Sequence, residues 1–284
     1  AVLTADWFWA PYNSIAQEQG RTLETYELLN KEGGFNKEAF DAKVNGLLAK
    51  QDSLVILLNT PAHNPTGYSL TLSDWDKVIE TLSSAGSDKK ITLFVDIAYI
   101  DFAGDEEEYR QFLPKLEELP ANVLPVLGYS ASKTFTLYGM RCGAMICMAK
   151  TAEIAAEFKQ VCEFSARATW SNSTRAAQKV IANIYEDEKL LAKVNEERKQ
   201  YRDMLVARGR AFEKSAKEAG LEIVPFDSGF FASIPCPNPD EISRKLEKEG
   251  IFIVPLAKGL RVSVASISEE RCAAIPFKIA EAMK

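Results

Sequence analysis

Residues 91–102 read ITLFVDIAYIDF, and this segment sets the reading of the fold. Its first part, residues 91–95, is a short apolar run with β-branched members, the pattern of a buried strand. A carboxylate, Asp96, follows the run with no spacer, so the cluster DIAYIDF stands at the strand's C-terminal end. Open α/β sheets bind their ligands at that end.

The same texture extends to both sides. Residues 54–59 (LVILLN), 123–128 and 143–148 read as further strands. Residues 71–84 read as a helix, with Ser73 as its cap and Leu72, Trp75, Val78, Ile79 and Leu82 at helical spacing. Residues 151–164 and 175–184 read as helices, and a charge-rich helical stretch runs from about residue 186 to 220. This alternation predicts an α/β fold with a mostly parallel sheet covered by helices on both faces. Beyond Gly220, short strands at 221–225, 230–234, 251–254 and 261–265 go with helices at 240–249 and 268–283. They predict a smaller C-terminal α/β domain. The expected division is 1–195 for the large domain and 196–284 for the small one. No helix-start signal stands near Trp7 and Trp9, and Ala1 is no initiator, so the chain is expected to begin partway through a domain.

Bulk properties narrow the function classes. The 284 residues carry a net charge of −6 and no long basic run, which disfavours nucleic acid and anionic membrane surfaces as partners. No apolar stretch approaches a membrane span and no secretory signal is visible. The five cysteines include no C-x-x-C pair. Free thiols fit a reducing compartment, so the cytoplasm is the expected location. A single histidine, His63, excludes multi-histidine metal centres and leaves a Ser-His-Asp triad one candidate.

Four polar clusters fall at predicted strand ends: NTPAHNPTG (59–67), DIAYIDF (96–102), GYSASKTFTLYGMRCG (128–143) and GLRVSVA (259–265). Each has an ordinary explanation when taken alone. N-P-T-G is a turn sequence. Asp96 could cap the next segment. Lys133 could be a solvated lysine, although small residues, Ser130, Ala131 and Ser132, precede it. Arg141 and Arg261 could be members of structural ion pairs.

Together the clusters resemble class I aminotransferases of the pyridoxal-phosphate (PLP) dependent fold type I group. The similarity is greatest to the aspartate and aromatic amino-acid branch. AHNPTG, D-x-A-Y, S-x-S-K with R-x-G following, and R-x-S-x-A near the end all match, from about Trp9 to the C-terminus. The resemblance implies a PLP-dependent transaminase in which Lys133 forms the Schiff base and Asp96 pairs with the pyridine nitrogen. Tyr99 and Asn64 would bond the ring oxygen. Ser130 and Arg141 would hold the phosphate with Ser132 nearby, and Trp9 would stack on the ring. Arg261 is similar to the arginine that forks onto the substrate α-carboxylate, a task suited to guanidinium. Arg167, in RATWSN, is similar to one that reaches a side-chain carboxylate from a partner subunit, which implies a homodimer. His63 would support the site. The implied reaction moves an amino group between an amino acid, aspartate or aromatic, and a 2-oxo acid such as 2-oxoglutarate, with ping-pong kinetics.

Family members usually carry a front portion that has no match before Trp9, so a shortened polypeptide is expected. Ser173 also stands where a proline is common, which loosens the inference to aspartate. The same cofactor residues would serve a lyase or decarboxylase. Two other readings are an aminotransferase-like ligand-sensing domain and an inactive fragment.

Overall fold

The computed structural model describes residues 1–284. Six strands form the larger sheet: β1 (Val2–Ala5), β2 (Leu23–Tyr26), β3 (Ser53–Asn59), β4 (Lys90–Asp96), β5 (Val123–Ser130) and β6 (Gly143–Cys147). Their order is β2-β1-β3-β4-β5-β6. The first five are parallel, and β6 lies antiparallel to β5 at the edge. The helices that follow these strands are α1 (Pro11–Glu18), α2 (Lys37–Leu48), α3 (Leu72–Ser83), α4 (Glu106–Arg110), α5 (Phe112–Lys115) and α6 (Ala131–Thr134). Then come α7 (Ala152–Thr169), α8 (Arg175–Glu186) and the 31-residue α9 (Glu188–Glu218).

Alternation along the strands decides which face is packed. Leu54, Ile56 and Leu58 of β3, with Ile91, Leu93 and Val95 of β4, turn toward α2 and α3 and join the main core. Phe40, Val44, Trp75, Val78 and Leu82 meet them from the helices. The opposite face is covered only in part: Val55 is exposed, and Leu57 and Phe94 are half-buried. Helices of this chain thus cover one face fully and the other in part. The apolar run of β6 is mostly exposed, and α7 buries no residue at all.

The second sheet is antiparallel, in the order β7-β9-β8, from β7 (Phe231–Pro235), β8 (Val254–Leu256) and β9 (Gly259–Ser263). With α10 (Pro239–Glu247) and α11 (Glu269–Ala282) it encloses a second core, in which Phe212 of α9 packs on Ile234, Leu260 and Ile279. Residues 195 and 196 lie inside α9. Midway along, that helix is tied to both parts of the chain: Arg202 donates to the Gly104 carbonyl at 2.8 Å and Arg208 to the Ala265 carbonyl at 3.0 Å.

Three local expectations change. The cap of α3 is Thr71, not Ser73. Its side chain accepts from Asp74 N–H while the Asp74 carboxylate accepts from Thr71 N–H, a reciprocal capping box. Residues 221–225 form no strand: Leu221 N–H turns back to the Ala216 carbonyl at the end of α9, and Val224 N–H alone reaches the small sheet, at the Ser233 carbonyl. The strand expected at 251–254 begins at Val254. No helix is long and apolar enough to cross a membrane.

Candidate active site

Asn59, Asp96 and Gly128 are in register across the ends of β3, β4 and β5. β3 and β4 leave the sheet at that row, and β5 runs on two residues to Ser130. A cavity of about 720 Å³ opens above it. Its lining includes Trp9, Asn64, Asp96, Tyr99, Ser130, Ser132, Lys133 and Arg141. These are the expected lysine and all seven residues expected around it, gathered from four segments far apart in sequence. The volume is that of an ordinary small-molecule site.

Asp96 accepts from Ala98 N–H at 3.0 Å and from the Tyr12 hydroxyl. Burial pushes its carboxyl above the ordinary range, while the Tyr12 and Ala98 hydrogen bonds and the Lys133 charge oppose the rise. Lys133 sits on the single turn α6, its Nζ 5.0 Å from the Tyr138 ring centroid and 5.7 Å from that of Tyr99. Burial lowers its amine from the usual value; Asp96 works against that and Arg141 adds to it. Arg141 takes up a left-handed backbone conformation at φ 50° and donates to the Tyr138 carbonyl at 2.8 Å.

A second chain of contacts descends from the small sheet. Arg261 of β9 donates to Asn64 Oδ1 at 3.0 Å, and Asn64 Nδ2 donates to the Tyr99 hydroxyl at 3.4 Å. The Arg261 guanidinium lies over the Phe231 ring, 4.4 Å from its centroid, and its buried Nε has no partner. The loop that carries Asn64 is held from the same side. Ser233 Oγ donates to the Pro65 carbonyl at 2.8 Å, and Asp227 accepts from Ser69 N–H at 2.7 Å. His63 is buried behind this loop, hydrogen-bonded to Thr66 Oγ1 at 2.7 Å, and burial pushes its pKa down to about 3. It is a neutral support and does not line the cavity.

Arg167 is not part of this cluster. It is exposed on α7 and donates to Ser171 Oγ. Sequence reasoning missed Tyr12 and Asn59. The Asn59 amide accepts from Asn64 N–H at 2.7 Å and donates to the Asp96 carbonyl at 2.9 Å. Position at a strand end could have singled out Asn59. Tyr12 carried only its place three residues beyond Trp9.

The residues suit pyridoxal phosphate. A half-buried carboxylate, supported against burial by the Tyr12 hydroxyl and Ala98 N–H, would pair with a cationic ring nitrogen; a lysine with a lowered pKa shares its cavity, and hydroxyls with an arginine stand by that lysine. Fold and site together define an α/β protein of the PLP-dependent fold type I class. The chain belongs to the aminotransferase class I and II family, whose model matches residues 1–275. It is 27% identical over 275 residues to an aromatic-amino-acid aminotransferase of Escherichia coli, covering 94% of this chain and 65% of that protein. To an aspartate aminotransferase of Pseudomonas aeruginosa it is 24% identical over 287 residues, covering 99% of this chain and 69% of the relative. The crystal structure of an aminotransferase from Anaerococcus prevotii superposes with a TM-score of 0.96 at 37% identity, covering 100% of this chain and 69% of that one. An aromatic-amino-acid aminotransferase from Burkholderia pseudomallei, covalently bound to pyridoxal phosphate, shares the fold at a TM-score of 0.83 and 24% identity, covering 100% of this chain and 69% of that one. The chain thus spans about two thirds of the length of these relatives, and slightly less for the first.

Proposed function

We propose that this chain carries the chemical centre of a PLP-dependent aminotransferase that moves an amino group between an aspartate-like or aromatic amino acid and a 2-oxo acid such as 2-oxoglutarate. The observation that carries the reading is Lys133, an amine with a lowered pKa in one cavity with the Asp96 carboxylate. Bound pyridoxal phosphate would supply an electron sink for the breaking Cα–H bond.

The chain's own residues have separable tasks. Lys133 attaches the cofactor and, once free, is the base that takes the Cα proton and later returns it; a neutral amine is needed for that. Asp96 keeps the pyridine nitrogen protonated. Tyr99 and Asn64 donate toward the ring oxygen. Ser130 and Arg141 hold the phosphate, with Ser132 beside them, and Trp9 covers one face of the ring. Arg261, already against Asn64, turns its fork to the α-carboxylate. Arg167 serves a neighbouring subunit's substrate in a cytoplasmic homodimer, and residues 1–195 and 196–284 work as a large and a small domain, although Val224 packs into the main core.

The test is the absorbance of bound pyridoxal phosphate in this protein and in Lys133→Ala. The proposal expects a lysine-linked band that the variant lacks, with turnover lost. Normal transamination by Lys133→Ala would refute it. Titration with aspartate, tyrosine and alanine then sorts the substrate classes. Release of CO₂, or of ammonia without a 2-oxo acid acceptor, would instead favour a decarboxylase or lyase.

A further inference from the structure

The hydrogen bond from Tyr12 to Asp96 joins α1 to the end of β4 across the cavity wall. Tyr12 is buried, its ring meets Trp9 edge to face at 5.4 Å, and both line the cavity. Asp96 has few other partners. Ala98 N–H is a neutral donor, and the charged or titratable groups around it are Lys133 from α6 and Tyr99 from the loop after β4. Arg141 acts on Lys133 rather than on Asp96, and Arg261 acts on Tyr99. The only histidine, His63, is engaged with Thr66.

We infer that Tyr12 is a positioning residue for Asp96: a donor that does not titrate, which holds this carboxylate ionised and in one orientation. Deepening the proposed function, it secures the charge that the pyridine nitrogen requires. The physical case is direct. A hydroxyl donating to a carboxylate stabilises the charged form, and its loss removes the largest of the three groups that oppose burial, leaving Ala98 N–H and the Lys133 charge. Burial and the neighbouring Asp96 charge both raise the phenol's own pKa well above its usual value, so Tyr12 keeps its proton near neutral pH. A histidine donor would change charge near neutral pH, and Tyr12 does not. Asp96 is therefore insulated from the pH range in which most cytoplasmic switches operate.

The test reads Asp96 itself, by carboxyl ¹³C NMR of the protein before any cofactor is added. Tyr12→Phe keeps the ring and removes the hydroxyl. Its Asp96 midpoint should rise by about one unit or more, equivalent to ~10-fold in the ionisation constant. An unmoved midpoint in a folded variant overturns the inference. If Tyr12→Phe loses its circular-dichroism signature, Tyr12→His decides the matter. An imidazolium beside Asp96 should drop the midpoint below wild type, and no change would again overturn the inference. With pyridoxal phosphate added, ring-nitrogen ¹⁵N shifts should be level with pH in wild type near neutrality and should inflect in Tyr12→His. Failure of wild type to bind pyridoxal phosphate at Lys133 would refute the proposed function. The Asp96 midpoint tests Tyr12 whichever way that result falls.

Discussion

Arg261 donates to Asn64 across 197 residues of sequence, a 3.0 Å contact that joins the small sheet to the N-P-T-G loop at the cavity. This bond gives the arginine a resting partner beside the place where a substrate carboxylate would arrive. Its unpartnered Nε and the Phe231 ring beneath it leave the planar fork ready for a second acceptor. Arg261→Lys keeps the charge and loses the fork. It should lower kcat/KM by ~100-fold, in keeping with a charged hydrogen-bonded pair, and leave the affinity for pyridoxal phosphate within a few-fold. Steady-state kinetics and a cofactor titration check the two halves separately.

Lys133 sits between opposed charges, so its neighbours should move it in opposite directions. Asp96→Asn removes the group that raises its pKa, and the amine should titrate lower. Arg141→Gln removes a cation that lowers it, and the amine should titrate higher. Amine-selective acylation of Lys133 across pH, followed by mass spectrometry, reads both without any substrate. Shifts in the same direction would contradict the arrangement.

His63 links the fold to pH. Its folded pKa is about 3 against 6.5 for the free side chain, with burial as the first cause. The unfolded chain therefore takes up a proton that the native state refuses. Stability is full above pH 6.5 and falls as pH drops from there toward 3, with a slope approaching ~1.4 kcal/mol per pH unit from this residue. Urea unfolding between pH 7 and 5 should show the loss, and His63→Gln should flatten that part of the curve.

Phe226 is wedged between two glycines. A Cβ on Gly67, which holds φ at +80°, would stand 2.3 Å from its ring, and one on Gly209 would stand 2.1 Å from it. Gly209 lies inside α9, where alanine ordinarily stabilises a helix by up to ~1 kcal/mol. Here Gly209→Ala should destabilise by ~1–3 kcal/mol through overpacking. Paired with Phe226→Leu it should recover part of that loss. Chemical denaturation of the single and double variants checks both.

Thr71 caps α3 through the box with Asp74. Thr71→Ala should cost about 1 kcal/mol, and Ser73→Ala should change stability by less than half of that. Thermal melts of the two variants distinguish them.

The parallel sheet and the two-part core were legible because their signals are local: apolar runs of strand length, and helices with apolar residues at helical spacing. The site was legible because chemistry restricts residue types at strand ends. Lys133, Asp96, Asn64 and Tyr99 were ambiguous segment by segment and stood out only through the resemblance carried by the four clusters together; the cavity gathers all four. What escaped depended on tertiary contact. β1, α1, β2 and α2 carry short or mixed patterns that take meaning only beside β3. Tyr12 resembles any core tyrosine until Asp96 is known to face it. The cap of α3 was misread because Ser73 and Thr71 are both good caps, and only the reciprocal bond to Asp74 separates them. Asp227 and Ser233 grip the N-P-T-G loop from more than 150 residues away, beyond the reach of any local pattern.

Strand β6 ends the larger sheet with Met145 and Ile146 open to solvent. Its outer rim offers backbone donors and acceptors in a row, a ready template for another chain. Proteins usually blunt such rims with proline or lysine, and Gly143–Cys147 contains neither; the nearest charges are Arg141 and Lys150. A strand laid against this rim would join the sheet through main-chain bonds alone, with Met145 and Ile146 offering it apolar contact.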